Sequence, residues 1–462
     1  MTSVQLDLAS VPAETPLLTD GDHTITYGEF FDAAGSLRDN VGRDLVVIVT
    51  KNSAQRIFSY LMCLFLDIPV LLVEEGIEAS TLNDIVVRFN AKYVVGSDNA
   101  ADLRGSSFSI ASEPWLERET HTPSKIHNNL ALLLATSGST GNPKFVRLSR
   151  EAVLSNAISI ALGLHITPDD RAITSLPFSY TYGLSVINSH FVSGATICVS
   201  ANAMVSAEFW RSVDELRVTS IAGVPTSYGM LRKMRWSPEK YSSLRYMTQA
   251  GGRLNDEDRK YFLDLLDAHG VKFYVMYGQT EATARITITD PKDLREHIST
   301  AGRAIEGGEL SVLDPDVSGI GSIVYRGPNV MMGYAESADN LALGDDMNGS
   351  LETGDLGYLN DGLLFLTGRT KRIVKIFGIR VSLDDVDRWL HEFGTGVSVQ
   401  GNDCVVLFME HLTIEPSELR TLLSQHLHVH PTGVKVVKLD ALPLLSSGKI
   451  DFQTLTKMAI TQ

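Results

Sequence analysis

The first half of the chain alternates short apolar runs with longer mixed stretches. "DLVVIVT" (44–50) reads as a buried strand, "SAQRIFSYLMCLFL" (53–66) as a helix, and "PVLLVEE" (69–75) as another strand. Together they form a βαβ unit, which predicts a parallel sheet with covering helices. Similar units recur near 190–230 and 244–276. After about residue 300 the texture changes to short β runs separated by Gly-Asn-Asp turns, as in "GSIVYRGPNVMMGY" (321–334) and "LGYLNDGLLFLTG" (356–368). From Gly368 a charged segment, "GRTKRIVK", leads into a small terminal unit mixing helix and strand. The class expected is α/β, with a β subdomain and a small α+β unit at the C-terminus.

Composition narrows the setting. The chain has 462 residues, of which 44% are hydrophobic, enough for a large core in two or more domains. Its net charge of −15 disfavours nucleic acid or an anionic membrane as partner. Residues 370–462 hold ten basic and ten acidic side chains, so the negative excess lies before them. Cys63, Cys198 and Cys404 sit singly in apolar strings and read as core residues of a reducing compartment. "MTSVQLDLASVPAET" shows no signal-peptide pattern, and "YLMCLFLDIPVLLV" (60–73) is too short and too interrupted to span a bilayer. A cytoplasmic protein is expected.

The candidate chemistry begins at "LLLATSGSTGNPKFVRLS" (132–149). It is not a Walker loop, because Pro143 follows Gly138 by five and Phe145 follows Lys144. It joins strand to strand, without a helix to hold phosphate. Thr136, Ser137, Ser139 and Thr140 offer hydroxyls, Gly138 and Gly141 let backbone amides come close, and Lys144 adds an ammonium. A plain polar hairpin turn has the same composition. "YGQTEAT" (277–283) places Thr280 and Glu281 at a strand end, where α/β ligand sites form. "ETGDLGYL" (352–359) puts Asp355 on a Gly-flanked loop, "AGG" (250–252) is a narrow turn, and "LPLLSSGKID" (442–451) carries Lys449 near the end of the chain. Taken singly, Glu281 could serve a helix terminus, Asp355 a turn and Lys449 the surface.

Together and in this order the segments resemble the adenylate-forming superfamily: acyl-CoA synthetases, peptide-synthetase adenylation domains and beetle luciferases. The matching strings are 136–144, 277–281, 353–355, 368–371, 375–381 and 447–451. The resemblance implies a large N-terminal adenylation domain (1–368) of mixed sheets, a hinge at 369–371 centred on Lys371, and a mobile C-terminal lid (372–462). It implies ATP and Mg²⁺ as cofactors and coenzyme A, or a carrier protein's phosphopantetheine, as acceptor. By the same resemblance the 136–144 loop would hold the β- and γ-phosphates. Tyr277 would stack on adenine opposite the backbone of Ala250, Gly251 and Gly252, with Gly278 and Gln279 alongside. Thr280 would contact the α-phosphate and Glu281 would bind Mg²⁺. Asp355 and Arg369 would hold the ribose hydroxyls. Lys449 would bridge the substrate carboxylate and the α-phosphate, and Lys375 and Gly378 would serve the thioester step. The implied activity is formation of an acyl-adenylate and then a thioester; an adenylate with a non-thioester fate is the alternative.

"LPFSYTYGLSVINSH" (176–190) resembles the family's substrate-pocket segment, and "GVPTSY" (223–228) the opposite wall. Candidate pocket residues are Tyr180, Tyr182, Gly223, Val224, Thr226, Met276 and Gln279, with Tyr228 nearby. Ser179 follows Phe178 where peptide-synthetase domains carry an Asp that pairs with an α-ammonium. With that anchor missing an uncharged organic acid is expected rather than an α-amino acid, and Tyr180, Tyr182, Met276 and Tyr228 suit an aromatic or medium-length one. "HLHVHP" (426–431) spaces three histidines by two, which predicts a polar surface strand and leaves a metal site as the lesser reading.

Overall fold

The computed structural model describes residues 8, 10–38, 41–97, 108–110, 113–118, 121, 123–135, 144–377 and 379–461. The chain divides into two compact units, Met1–Glu309 with Tyr325–Leu351, and Leu310–Val324 with Glu352–Gln462. The expected βαβ unit is present as strand Val46–Val49, helix Ala54–Leu66 and strand Val70–Val73, the two strands pairing in parallel. Ser53 caps the helix by accepting from the Arg56 amide, and Asp67 ends it in the left-handed conformation.

The first unit is built on an eight-stranded and a nine-stranded sheet among the described residues. In the eight-stranded sheet Leu130–Ala135 and Phe145–Ser149 run antiparallel, with Ala135 opposite Phe145. The 136–143 loop that joins them lies outside the described residues, so only Lys144 of the phosphate-loop candidates is described. Gly333–Ala335 adds to the far side of Phe145–Ser149.

In the nine-stranded sheet Ser220–Gly223, Tyr246–Gln249 and Lys272–Tyr277 lie side by side in parallel. Both faces of these strands are buried, so alternate residues enter two separate layers. Ile221, Met247, Phe273 and Val275 join a large core with Phe209, Trp210 and Phe262. Ala222, Tyr246, Tyr274 and Met276 point into the other layer, against Ile160, Leu164 and Tyr182 from the helices Arg150–Leu164 and Thr181–Val192. That second layer holds the polar groups of the candidate site.

The second unit carries a four-stranded sheet that includes the antiparallel pair Ser350–Asn360 and Leu363–Arg369. It ends in an α+β part with Leu383–Leu390, Pro416–His426 and Phe452–Thr461 as helices. There Gly394–Gln400, Val405–Leu412 and Val434–Lys438 form a mixed sheet. The three cysteines are buried and unpaired, and burial raises their thiols; Cys198 reaches about 11. The 426–431 expectation fails: His426 ends a helix, His428 takes a left-handed turn and His430 caps a short 3₁₀ turn. The period of two carried no strand there, because the preceding helix extends into it. Among the described residues no group of three metal-ligating side chains is found, and no helix is long and apolar enough to cross a membrane.

Candidate active site

The candidate residues divide between the two units. In the first, strand Lys272–Tyr277 ends where the motif begins. Gly278 follows, and a Cβ there would lie 1.8 Å from the Ala284 carbonyl oxygen, so only glycine lets the strand end close on the returning chain. Thr280–Ala282 then forms a 3₁₀ turn. Thr283 has φ 63° and ψ −46°, and the Ala284 amide bonds back to the Ala282 carbonyl at 2.6 Å. This tight three-residue turn is strained for a β-branched residue.

Buried side chains hold the strained segment in place. Asn329 donates to the carbonyls of Ala282 (2.8 Å) and Arg285 (2.9 Å). Its side-chain oxygen accepts from the Tyr325 hydroxyl, and its own carbonyl accepts from Thr283 Oγ1. Asn156 exchanges two bonds with the Arg285 backbone, and Thr181 Oγ1 donates to the Thr283 carbonyl. Strain that survives in a well-pinned segment is a mark of functional sites.

The same segment presents the expected polar groups. Glu281 Oε1 accepts from the Tyr334 hydroxyl at 3.0 Å, and its carbonyl accepts from the Met331 amide. Burial, then the Glu281 charge, raises the Tyr334 pKa. Tyr334 is in turn fixed through Arg147, a fully buried side chain whose guanidinium donates to the carbonyls of Tyr334, Leu343, Gly344 and Met332 and to Asp346. Lys144 pairs with Glu336 at 2.9 Å, both more than half exposed. Glu281 suits Mg²⁺, which is commonly held by one or two carboxylates plus phosphate oxygens. In the 250–252 turn Gly251 has φ 82°, and a Cβ on it would strike the Tyr180 hydroxyl at 2.3 Å, so glycine is required for that close approach.

Behind the turn lies a small cavity in the second layer. Tyr182, Met276, Thr248, Ala222, His190 and Arg285 contribute to its wall. Tyr182 and Met276, two of the candidate pocket residues, thus line one cavity. Tyr180 caps the helix Thr181–Val192, with its ring 6.2 Å from that of Tyr182. Val224 packs in the same layer, and Thr226 lies on the helix Pro225–Lys233. Tyr228 departs from its expected place. Its ring packs against Phe262 and Phe273 in the opposite layer, and only its hydroxyl crosses, to the Thr248 carbonyl. Gly223 permits this, since a Cβ there would meet the Tyr228 ring at 2.8 Å.

Two cavity residues escape sequence reading. His190 Nδ1 lies 2.8 Å from the Val186 carbonyl and so donates to it, and Nε2 faces Ser220 and Tyr246. Burial pulls its pKa down to about 4, so it is neutral. Arg285 is 2% exposed, with its guanidinium 4.4 Å over the Tyr182 ring.

In the second unit Asp355 stands opposite Arg369 across the antiparallel pair, and Arg369 Nε donates to its carboxylate at 2.9 Å. Asp384 grips both sides of residue 371: one oxygen accepts from the Arg369 amide at 2.8 Å, and the other lies 2.8 Å from Arg372 Nε. Arg372 also pairs with Asp387 at 2.5 Å and lies over the Phe452 ring. Lys375 is exposed on the hairpin Ile373–Ile376 and Ile379–Ser382; Gly378, between those strands, lies outside the described residues. Lys449 follows a tight turn in which Leu445 and Lys449, and Gly448 and Leu445, are joined by 2.8 Å backbone bonds.

Comparison with known proteins agrees with this chemistry. The profile of the family described as AMP-binding enzyme matches residues 7–335. The 2-succinylbenzoate–CoA ligase of Bacillus subtilis (strain 168) is 25% identical, over 96% of this chain and 95% of the relative. The indoleacetate–CoA ligase of Aromatoleum aromaticum is 28% identical, over 79% of this chain and 76% of the relative. The structure of o-succinylbenzoate CoA synthetase from Bacillus subtilis, in complex with its acyl-adenylate intermediate, shares the fold with a TM-score of 0.75 at 22% identity, covering 97% of this chain and 96% of that one. A family match over well more than half of the sequence settles the membership: the chain belongs to the AMP-binding enzymes.

Proposed function

We propose that the protein is an AMP-forming acid–thiol ligase. It activates a carboxylic acid with ATP to an acyl-adenylate, releases pyrophosphate, and transfers the acyl group to coenzyme A. One observation carries the reading. A single short segment contributes Met276 and Arg285 to the cavity wall and places Thr280 and Glu281 between them. The acid and the phosphate it attacks are thereby served by one continuous, pinned stretch of chain. The named activities of the CoA-ligase relatives support the same reading.

The chemistry requires two anions, a carboxylate and an α-phosphate, to meet, and the cost of their approach grows as water leaves. Mg²⁺, held by Glu281 and phosphate oxygens, would supply positive charge to the triphosphate. Thr280 would donate to the α-phosphate. Lys449 would place an ammonium between the two anions, where it counts most as charge develops. Asp355 and Arg369, an acceptor beside a set of donors, would bind the ribose diol. The 136–144 loop would hold the outer phosphates, and Tyr277 would stack on adenine. Residues from 372 onward would act as a lid turning about Lys371, bringing Lys449 in for adenylation and Lys375 and Gly378 for thioester formation.

The test is ATP–pyrophosphate exchange against a panel of organic acids, followed by thiol acceptors. Acid-dependent exchange with AMP as product, and thioester formation with coenzyme A, are expected. Release of ADP, or products that form equally well with no thiol present, would overturn the reading. Preference for a carrier protein's phosphopantetheine over coenzyme A would change the acceptor only.

A further inference from the structure

Among the described residues of the first unit three arginines are fully or almost fully buried, and two of them are well supplied with acceptors. Arg147 donates to four carbonyls and pairs with Asp346. Arg259 donates to the carbonyls of Leu254, Ile298 and Thr300. Arg285 differs. Its one hydrogen bond from the guanidinium goes to Ser185 Oγ at 3.0 Å, and its Nε is buried without a partner. No carboxylate pairs with it among the described residues, and the groups that act on its charge are the phenols of Tyr182 and Tyr180. Burial lowers its pKa, yet an arginine keeps its proton.

A buried guanidinium without a counter-ion is costly, and an aromatic face offsets only part of that cost. Arg285 also lines the cavity, where it is the only charged side chain among the described residues, because His190 is neutral. The cavity is small for a ligand site, and its other wall groups are apolar or already hydrogen-bonded to one another.

We propose that Arg285 anchors a second carboxylate on the substrate, so that the acid this enzyme activates is a short dicarboxylic acid with its distal carboxylate buried against the guanidinium. The inference rests on the reading of the cavity as the acid site. It departs from the sequence expectation of an otherwise uncharged acid, which followed from Ser179 alone. The distal anion would satisfy donors that the protein leaves unmet, and a methyl group in its place would leave them unmet and dry.

The experiment pairs short straight-chain and aromatic dicarboxylic acids with the monocarboxylic counterparts in which methyl replaces the distal carboxylate. The readout is the ratio of kcat/KM for diacid over monoacid in ATP–pyrophosphate exchange, measured for wild type, Arg285→Gln and Arg285→Lys. A ratio taken within one protein does not depend on how much of it is folded. The wild type is expected to favour the diacid of at least one pair by about 10²-fold or more. Arg285→Gln should bring that ratio near unity, and Arg285→Lys should keep part of it. A ratio unchanged in Arg285→Gln, or a wild type that favours the monoacid in every pair, overturns the proposal. Should no acid drive exchange, calorimetry separates the two readings. Diacid binding to wild type that disappears in Arg285→Gln supports the anchor while the ligase reading falls; no diacid binding to wild type overturns the anchor.

Discussion

The Tyr334 hydroxyl donates to Glu281 Oε1 across 3.0 Å and joins residues 53 positions apart. Glu281 is the carboxylate proposed to hold Mg²⁺, and Tyr334 would then orient that ligand through its hydroxyl. Removing such an outer partner usually weakens metal affinity about ten-fold or more. Tyr334→Phe should therefore raise the Mg²⁺ concentration needed for half-maximal adenylation by about that factor, with little change in melting temperature. An unaltered Mg²⁺ dependence would show that Glu281 is positioned by other means.

Lys449→Ala should lose adenylation by on the order of 10²–10³, the usual effect of deleting one preorganised charge at a transition state. The turn that carries it is made by backbone bonds, so the fold should survive. Thiol transfer from preformed acyl-adenylate should suffer less than adenylation itself. Near wild-type exchange in this variant would remove Lys449 from the mechanism.

Asn329 satisfies two carbonyls of the strained segment and accepts from Tyr325 while 1% exposed. Each buried group left unpaired costs about 1–3 kcal/mol. Asn329→Ala should lower stability by about 3 kcal/mol and also lower kcat, because the 280–283 turn loses its brace. Denaturant titration and exchange kinetics on the same preparation check both effects. A stable variant with normal kcat would mean that the turn holds its own shape.

His190 predicts a pH effect on stability. Its pKa is about 4 when folded against 6.5 unfolded, so between these values the unfolded chain binds the proton first. The contribution is complete above pH 6.5 and is lost as pH falls toward 4, amounting to about 3 kcal/mol in all. His190→Gln should show a shallower loss of stability than wild type between pH 7 and 4.5. Parallel curves for the two proteins would place the acid sensitivity elsewhere.

Lys144 is held by Glu336 on an exposed surface, where such pairs contribute little. Binding of a phosphate should displace Glu336 easily. Glu336→Gln should lower the KM for ATP by at most a few-fold, whereas Lys144→Ala should raise it by more. A large gain from Glu336→Gln would mean that the pair acts as a real barrier to nucleotide.

Sequence reading found what is local. The 277–283 string could be recognised because its glycine, hydroxyl and carboxylate are adjacent in the chain, and the βαβ unit at 44–75 because its periodicity is strong. Arg285, four residues past Glu281, belongs to no motif in the sequence; only the fold reveals its burial, through the close return of 284–285 on Gly278. Tyr334 and Asn329 reach the site by strand pairing and loop packing over long separations, which no local pattern records. Tyr228 had the right chemistry for a pocket, but it lies on the helix Pro225–Lys233, and the bare Cα of Gly223 admits its ring into the other layer. At 426–431 a helix end overrode an apparent two-residue rhythm.

If the chain turns at residue 371 as proposed above, the double hold of Asp384 on Arg369 and Arg372 would work as a detent. The peptide at 371 sits between the two points of attachment, so it cannot rotate freely while both are made. A swivel there must let go of one neighbour before the other, which favours two stops over a continuum of intermediate angles. The carboxylate of a single side chain would then set how long the terminal unit dwells in each orientation.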